Sequence, residues 1–536
     1  MTNTFAAIFE NDNTRPAVLT TKSSDPPSLS LTYQQLHSQA SRFISQAQTL
    51  LGSNYYVGLP IASMLGNGLP CLLAFLGTAL MRSIAAPLNP AMKQSEIEFY
   101  LQDSQSKVLI VSLKEACSSH QGILAATKLG LSIWTIQWSD PEGIIIQPYN
   151  QTAQVFDANS SPPQTADFAQ IQPNDTALLL HTSGTTGRPK AVPLTHANII
   201  RSMFNIAQTY NLSPQDRTFV VMPLFHVHGL IGSLMSTLYS GGSVVLPQKY
   251  SASSFWSEFI ASESNWYSAV PTIHQIQLQH ELPNNLPHIR FIRSCSASLA
   301  PTVLTQIEAA FNAPVLEAYA MTEASHQMCS NPLPPLAHKP ASVGIPQGVQ
   351  VAILDDQGHR VHLGEVCIRG SNVTTGYLNN PSANESSFTN IYNKDSTIET
   401  TETLPGSNEL WFRTGDQGYL DEDGYLFLTG RIKELINRGG EKISPLEIDA
   451  VLLQYPDVLE AISFAVDHEL YGQEVNAAVI LKPGSTASEQ SIKDFVGRHL
   501  AAFKVPKVIF ISDILPKTAT GKIQRRVVSD YFTKKA

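Results

Sequence analysis

Short runs of consecutive apolar residues, each closed by polar or turn-forming residues, recur along most of this 536-residue chain. VLIVS at 108–112, FVVMP at 219–223, SVVLP at 243–247, RFIRS at 290–294 and APVLEAY at 313–319 have strand length, as does TALLLH at 176–181. Near-continuous apolarity over so few positions predicts strands covered on both faces, as in parallel sheets. Helix-length segments lie between them, for example THANIIRSMFNIAQTY from Thr195. The alternation of the two kinds predicts α/β layers. The most apolar segment, LPCLLAFLGTALM at 69–81, is too short to cross a bilayer and predicts a core helix.

The pattern changes towards the C-terminus. Residues 389–407 are rich in Thr, Ser, Asn and Glu and predict a solvated loop. WFRTGDQGYLDEDGYLFLTGR, 411–431, predicts a hairpin turning at Asp423-Gly424, which returns Arg431 to the side of Asp416. A carboxylate beside an arginine suits a ribose as well as a plain ion pair. Beyond the hairpin, Ser444-Pro445-Leu446-Glu447 has the form of a capping box, with Ile448, Val451, Leu452 and Tyr455 on one helical face and Pro456 as the stop. ISFAV and NAAVILK add strands, so the last hundred or so residues predict a small α+β unit. The boundary falls near 430–433, giving domains 1–431 and 432–536.

Composition narrows the function. A net charge of −9 gives no electrostatic reason to bind nucleic acid or an anionic membrane, so an anionic ligand must be held by local donors. The five cysteines are scattered without a CxxC pair, which argues against disulfides or a zinc cluster and for a reducing compartment. Residues 1–30 lack a signal-peptide stretch, and the terminal TKKA is not a Ser-Lys-Leu address, so a cytoplasmic location is expected.

One segment carries its own chemistry. HTSGTTGRPK at 181–190 packs hydroxyls and glycines ahead of a lysine, a composition suited to phosphate oxygens. It is not a P-loop, because Gly184 and Gly187 are two residues apart and Lys190 precedes Ala191. The loop is expected to hang between two strands, with the next helix starting near Thr195. A polar hairpin turn is the competing expectation, and the segment by itself favours phosphate only modestly.

Six motifs then recur in order: TSGTTGRPK (182–190), PLFHVHG (223–229), YAMTE (319–323), RTGD (413–416), GRIKELINRGGEKISPLEID (430–449) and PKTATGK (516–522). Together they resemble the adenylate-forming superfamily of acyl-CoA synthetases, peptide-synthetase adenylation domains and firefly-type luciferases. The resemblance spans nearly the whole chain. It implies a large N-terminal domain of stacked α/β subdomains with a β-barrel-like part, and a small mobile α+β C-terminal domain. It also implies a two-step reaction in which a carboxylate attacks the α-phosphorus of ATP, and a thiol, here coenzyme A, then displaces AMP.

By that resemblance Thr182, Ser183, Gly184, Thr185, Thr186, Gly187 and Lys190 hold the β- and γ-phosphates. Thr322 contacts the α-phosphate, Glu323 holds Mg²⁺, Tyr319 stacks on adenine, and Asp416 and Arg431 bind ribose. Lys522 neutralises the reacting oxygens, with Lys517 a competing candidate. Lys433 is the hinge about which the small domain rotates, bringing Gly439 and Gly440 towards the pantetheine arm.

The acid is expected to be small and doubly charged. His226, His228, Ser294, Ser296, Ser298 and His326 cluster in the segments that line the acyl site in this superfamily, where a fatty acid would need apolar walls. MPLFHVHGLIG, WYSAVPTIHQIQ, HIRFIRSCSASLAP, APVLEAYAMTEASHQM and ELINRGGEKISP resemble the oxalate–CoA ligase branch. That resemblance implies Ser296 and His326 on the distal carboxylate and His226 at the reacting end. Some fungal relatives are peroxisomal, but the matching tripeptide is missing here. A CoA ligase for 4-coumarate or another small acid, an enzyme loading a carrier protein, and a light-emitting relative are the competing expectations.

Overall fold

A computed structural model describes residues 3–149, 170–182, 189–393, 397–399, 403–407, 409–518 and 522–533. The predicted apolar runs become the middle strands of two large sheets. In the seven-stranded sheet the order is Gly143–Pro148, Ser132–Ser139, Val108–Ser112, Pro60–Met64, Ile84–Pro87, Thr176–Thr182 and Lys190–Thr195. Only the two outermost pairings are antiparallel. The nine-stranded sheet runs Ile345–Pro346, His326–Ser330, Val315–Met321, Phe291–Cys295, Trp266–Ala269, Arg217–Phe219, Ser243–Leu246, Pro16–Thr20 and Ser30–Thr32. Its centre is parallel, from Val315–Met321 across to Pro16–Thr20.

Helices fill the space between these sheets. Phe43, Leu72, Leu76, Ile199 and Leu234, from four helical segments, share one core with Ile61, Val108 and Leu178 of one sheet and Val18, Val244 and Met328 of the other. Leu69–Leu80 is the core helix expected from its apolarity, and only Pro70 escapes full burial. The outer face of each sheet carries its own helices and a separate core. Strands covered on both sides have no solvent face, so the two-residue alternation of a half-exposed strand is absent from their sequences.

One strand is shorter than its sequence pattern. Pairing of FVVMP ends at Phe219, and the chain leaves the sheet after Val220 donates to the Val245 carbonyl at 3.0 Å. Asn67 then replaces the missing strand neighbour: its amide donates to the Met222 carbonyl at 3.0 Å, and its oxygen accepts from the Leu224 amide at 2.9 Å.

The barrel-like part is an antiparallel sheet built on Trp411–Leu420, against which Gly364–Arg369, Phe388–Thr389 and Leu426–Arg431 all pair. The expected hairpin forms, with Asp416 and Arg431 as register partners. The segment read as a solvated loop is anchored in part. Ile391 packs with Trp411 in a small core, and Arg360 donates three hydrogen bonds of 2.9–3.2 Å to Glu399. Residues 394–396, 400–402 and 408 lie outside the described residues.

From Ile436 onward the chain builds a separate sheet of Glu441–Ile443, Ile436–Arg438, Gly472–Leu481, Val458–His468 and Val508–Ile511, with its own core. The helix Pro445–Leu452 begins as its cap predicts, Ser444 accepting from the Glu447 amide at 3.4 Å. The capping box is only half made, because the Glu447 carboxylate binds Lys504 at 2.7 and 2.8 Å instead.

Glu317, on Val315–Met321, is a carboxyl group inside this fold. One oxygen accepts from the Leu299 amide at 2.9 Å and the other has no partner among the described residues. Burial pushes its pKa from 4.5 up to about 8. Between those values the folded state holds a proton that the unfolded chain releases, so this group's contribution to stability is complete below pH 4.5 and is lost as pH rises towards 8. Glu317→Gln keeps the accepting oxygen and cannot ionise. Urea unfolding is expected to show the variant gaining on the wild type from pH 5 to pH 8, by on the order of 4 kcal/mol at most. An identical difference at both pH values would show that the carboxyl titrates normally.

Candidate active site

The parallel centre of the nine-stranded sheet delivers its functional residues at or just beyond the carboxyl ends of adjacent strands, the usual ligand side of such a sheet. Ser268 comes from Trp266–Ala269, Arg293 and Ser296 from Phe291–Cys295 and the turn after it, and Thr322-Glu323 follow Val315–Met321. Facing them, PLFHVHG enters a helix at Val227–Gly229 that widens into a π-helical stretch, Leu230–Met235. Such widened turns are frequent at functional sites, where they re-aim side chains.

These elements converge on Arg293, which is fully buried. Its Nε donates to the Tyr210 hydroxyl at 2.8 Å and one terminal nitrogen to Ser268 Oγ at 3.3 Å. The other terminal nitrogen donates to Gln327 Oε1 at 3.0 Å and to His326 Nδ1 at 3.2 Å. Every one of these partners is neutral. His228 bridges Ser268, 2.7 Å from its Nε2, and Ser296, 3.0 Å from its Nδ1. The His228 and His326 rings lie 5.4 Å apart.

The backbone around this group is strained. Ser296 (φ 76°), Ser325 (φ 51°) and His326 (φ 113°) all occupy the left-handed half of conformational space, which L-residues rarely adopt. Three such residues in one locality mark a place where geometry is held for function. Gly232, on the π-helical stretch, is pressed against His326, and a Cβ there would lie 2.6–2.9 Å from three imidazole atoms.

Burial keeps the histidines neutral. It drives the pKa values of His228 and His326 well below 6.5, with the charge of Arg293 adding to the effect. His226 falls to about 3, from burial and then from Lys522. Ser294 stands apart from the others. On a strand, successive side chains take opposite faces, and Ser294 alternates with Arg293 and Cys295. It pairs in register with Glu317, and its hydroxyl has no partner among the described residues.

A second group of residues adjoins the first. Thr182 and Lys190 are register partners at the loop end of a hairpin, so the glycine-rich segment joins two paired strands. Ser183, Gly184, Thr185, Thr186 and Gly187 lie outside the described residues. The Lys190 ammonium sits 4.4 Å from the centre of the Tyr377 ring, and the Tyr377 hydroxyl donates to Glu323 at 2.8 Å. Burial lowers the Lys190 pKa, Glu323 opposes that shift, and nearby Lys433 reinforces it. Asp416 accepts from the Tyr319 hydroxyl on one oxygen and pairs with Arg431 Nε at 2.8 Å on the other. Burial raises the Asp416 pKa despite that arginine. Tyr319, placed in the sequence reading against adenine, is packed in the core and spends its hydroxyl on this carboxylate.

Lys522 reaches the site from the segment that follows Val508–Ile511, the last strand of the C-terminal sheet. Burial lowers its pKa, and its charge acts on His226, His228 and His326. The rival Lys517 is tied to Glu460 at 2.7 Å. Lys433 lies in the short connection between the two parts of the chain, Ile432–Glu434. Gly439 and Gly440 are exposed at the turn joining Ile436–Arg438 to Glu441–Ile443.

The AMP-binding enzyme family matches residues 9–378, and the AMP-binding enzyme C-terminal domain matches residues 447–522. The chain belongs to the AMP-binding enzyme family. It is 48% identical over 493 residues to the oxalate–CoA ligase of Saccharomyces cerevisiae, covering 88% of this chain and 87% of that one. It is also 48% identical over 518 residues to the oxalate–CoA ligase of Arabidopsis thaliana, covering 94% of each. Among solved structures, ATP-bound MatB from Rhodopseudomonas palustris superposes with a TM-score of 0.82 at 26% identity over the whole of both chains.

Sequence reasoning passed over Arg293, Ser268, Tyr210, Gln327, Tyr377 and Gly232 in this AMP-binding enzyme. For Arg293 a signal was available, since a charge inside the apolar run RFIRS is out of place unless it has buried work to do. The others become visible only through contacts between distant segments. The Gly232 contact yields an expectation: Gly232→Ala forces His326 off the geometry Arg293 imposes on it. A roughly tenfold or greater rise in the acid KM is expected, with ATP binding unchanged, read by steady-state AMP release and by calorimetry with ATP. An unaltered acid KM would show that His326 has room to move.

Proposed function

We propose that the protein is an ATP-dependent, AMP-forming acid–CoA ligase that converts oxalate to oxalyl-CoA. The observation that carries the acid assignment is the buried polar cluster built on Arg293. A buried guanidinium held only by neutral partners, beside Ser296 and His326, has the chemistry of a receptor for a second carboxylate. The curated relatives that cover most of the chain point to the same acid.

In the first step a carboxylate oxygen of oxalate attacks the α-phosphorus of ATP, and pyrophosphate leaves. In the second, the thiol sulfur of coenzyme A attacks the acyl carbon and AMP leaves, the thiol proton passing to solvent. Adenylation is needed because a carboxylate is a poor electrophile. The displacement at phosphorus depends chiefly on alignment and charge neutralisation.

Lys522 neutralises the reacting oxygens of acid and α-phosphate, and His226 borders them. Thr182 to Gly187 and Lys190 hold the outer phosphates, and Thr322 the α-phosphate. Asp416, steadied by Tyr319 and Arg431, takes the ribose hydroxyls, while Tyr319 and its neighbourhood border adenine. Among the described residues no cluster of three metal-ligating side chains exists. One buried carboxylate, Glu323, therefore fits Mg²⁺ completed by phosphate oxygens and water, the arrangement common for nucleotide-bound magnesium. Bound there, the ion would offset phosphate charge. His228, Ser296 and His326 hold the distal carboxylate, and Ser294, on the opposite strand face, is left out of that set.

For the second step we assign Lys433 as the pivot that withdraws Lys522 and brings Gly439-Gly440 towards the pantetheine arm. We assign residues 1–431 and 432–536 as the two domains that move.

The test is AMP release with ATP, Mg²⁺ and coenzyme A, comparing oxalate with malonate, acetate, 4-coumarate and octanoate. Strong turnover of oxalate is expected, lost by at least 100-fold in Lys522→Ala and nearly unchanged in Lys517→Ala. A preference for coumarate or octanoate would retain the ligase and remove oxalate. No AMP from any acid would remove the ligase.

A further inference from the structure

The donors and acceptors around Arg293 can be counted, and the count leaves little freedom. A guanidinium only donates. Its hydrogen bond to His326 Nδ1 therefore obliges that nitrogen to present a lone pair. Burial keeps His326 neutral, so its single N–H sits on Nε2. Nε2 is buried and has no partner among the described residues. This arm of the network ends in an unused donor.

The other arm is longer. Ser268 Oγ accepts from Arg293 and lies 2.7 Å from His228 Nε2. If Ser268 accepted from both, its own proton would be buried without a partner, at a cost of about 1–3 kcal/mol. The alternative leaves nothing unpaired: Ser268 donates to His228 Nε2, which places the His228 proton on Nδ1. Nδ1 then donates to Ser296 Oγ at 3.0 Å, and the Ser296 hydroxyl proton is left over. Ser296 is half-buried at the margin of the network. This arm also ends in a donor.

We propose that Arg293 sets the direction of the hydrogen bonds running through His326, Ser268 and His228, so that Ser296 and His326 each keep an uncommitted donor and the site favours an acid whose second group is an acceptor. The inference rests on the acid–CoA ligase reading and deepens it. Arg293 is a positioning residue, acting through His326 on one arm and through Ser268 and His228 on the other. Charge selection follows. An ionised carboxylate offers only lone pairs and satisfies both arms, whereas the carboxamide of oxamate can turn an N–H against the His326 Nε2–H, the arm that has no lone pair to accept it.

The tautomers can be read without any substrate. The full-length protein is labelled with ¹⁵N-histidine, and long-range ¹H–¹⁵N correlation distinguishes N–H at Nδ1 from N–H at Nε2. Resonances among the fifteen histidines are assigned with His228→Gln and His326→Gln. The expected result is a single Nε2–H form for His326 and a single Nδ1–H form for His228. Arg293→Met should abolish the fixed tautomer at both. Ser268→Ala should release His228 alone, and it serves as the independent check if Arg293→Met does not fold. Kinetically, Ser268→Ala should raise the oxalate KM at least fivefold, leave the ATP KM unchanged and reduce discrimination against oxamate.

An Nδ1 proton on His326 in the wild type would overturn the proposal, as would an unchanged His228 in folded Ser268→Ala. Fixed tautomers in a protein that turns over another anionic acid and not oxalate would uphold the donor receptor and remove only the oxalate reading.

Discussion

Arg293 is a guanidinium buried in the middle of a sheet, and no carboxylate faces it among the described residues. Removing a charge from water without a counter-charge costs several kcal/mol even after relaxation. The fold offsets that cost with four hydrogen bonds to Tyr210, Ser268, His326 and Gln327, contributed by three separate parts of the chain. Three features of the site follow from the same constraint. The strand ends must meet here, the backbone at Ser296 and His326 must be held out of its relaxed region, and the π-helical stretch must come close enough that only glycine fits at 232.

The electrostatics run against the bulk composition. The chain carries a net −9, yet Arg293, Lys522, Arg431 and Lys190 gather around one site. Burial depresses the pKa values of both Lys190 and Lys522, and it keeps His226, His228 and His326 neutral beside them. Protonating those histidines would add like charge beside Arg293, which no carboxylate faces among the described residues. Donors in this state suit negative ligands, because they are oriented before a ligand arrives and need no reorganisation as charge develops.

The nucleotide side is organised differently. Here the acidic groups have partners: Asp416 is held by Tyr319 and Arg431, and Glu323 by Tyr377. Tyr377 also lies against Lys190, so one aromatic residue links the hairpin that carries the glycine-rich loop to the carboxylate beyond the adjacent sheet. Lys522 follows the last strand of a sheet that has its own core and is joined through a short connection at Ile432–Glu434. Arg293 and Lys522 thus belong to parts of the chain that build separate sheets.

Most of the architecture was legible in the chain because local rules decide it. Unbroken apolar runs became the strands buried on both faces, LPCLLAFLGTALM became a core helix, and Asp423-Gly424 turned the hairpin that pairs Asp416 with Arg431. The cap at Ser444 was legible too, although Glu447 preferred Lys504 to its half of the box, a contact 57 residues away that no local rule anticipates. The strand at Arg217–Phe219 stopped short for the same kind of reason, with Asn67 supplying the bonds that a neighbouring strand would otherwise make. Ordered motifs identified the chemistry and named Ser296, His326 and Lys522. They could not show that Ser294 faces away from Arg293, that Lys517 is already paired, or that the pocket is organised by Arg293. Periodicity and motif order are properties of neighbours in sequence. The state of a donor is a property of whatever lies 3 Å from it, and in this protein the groups that decide it stand 25 to 83 residues apart along the chain.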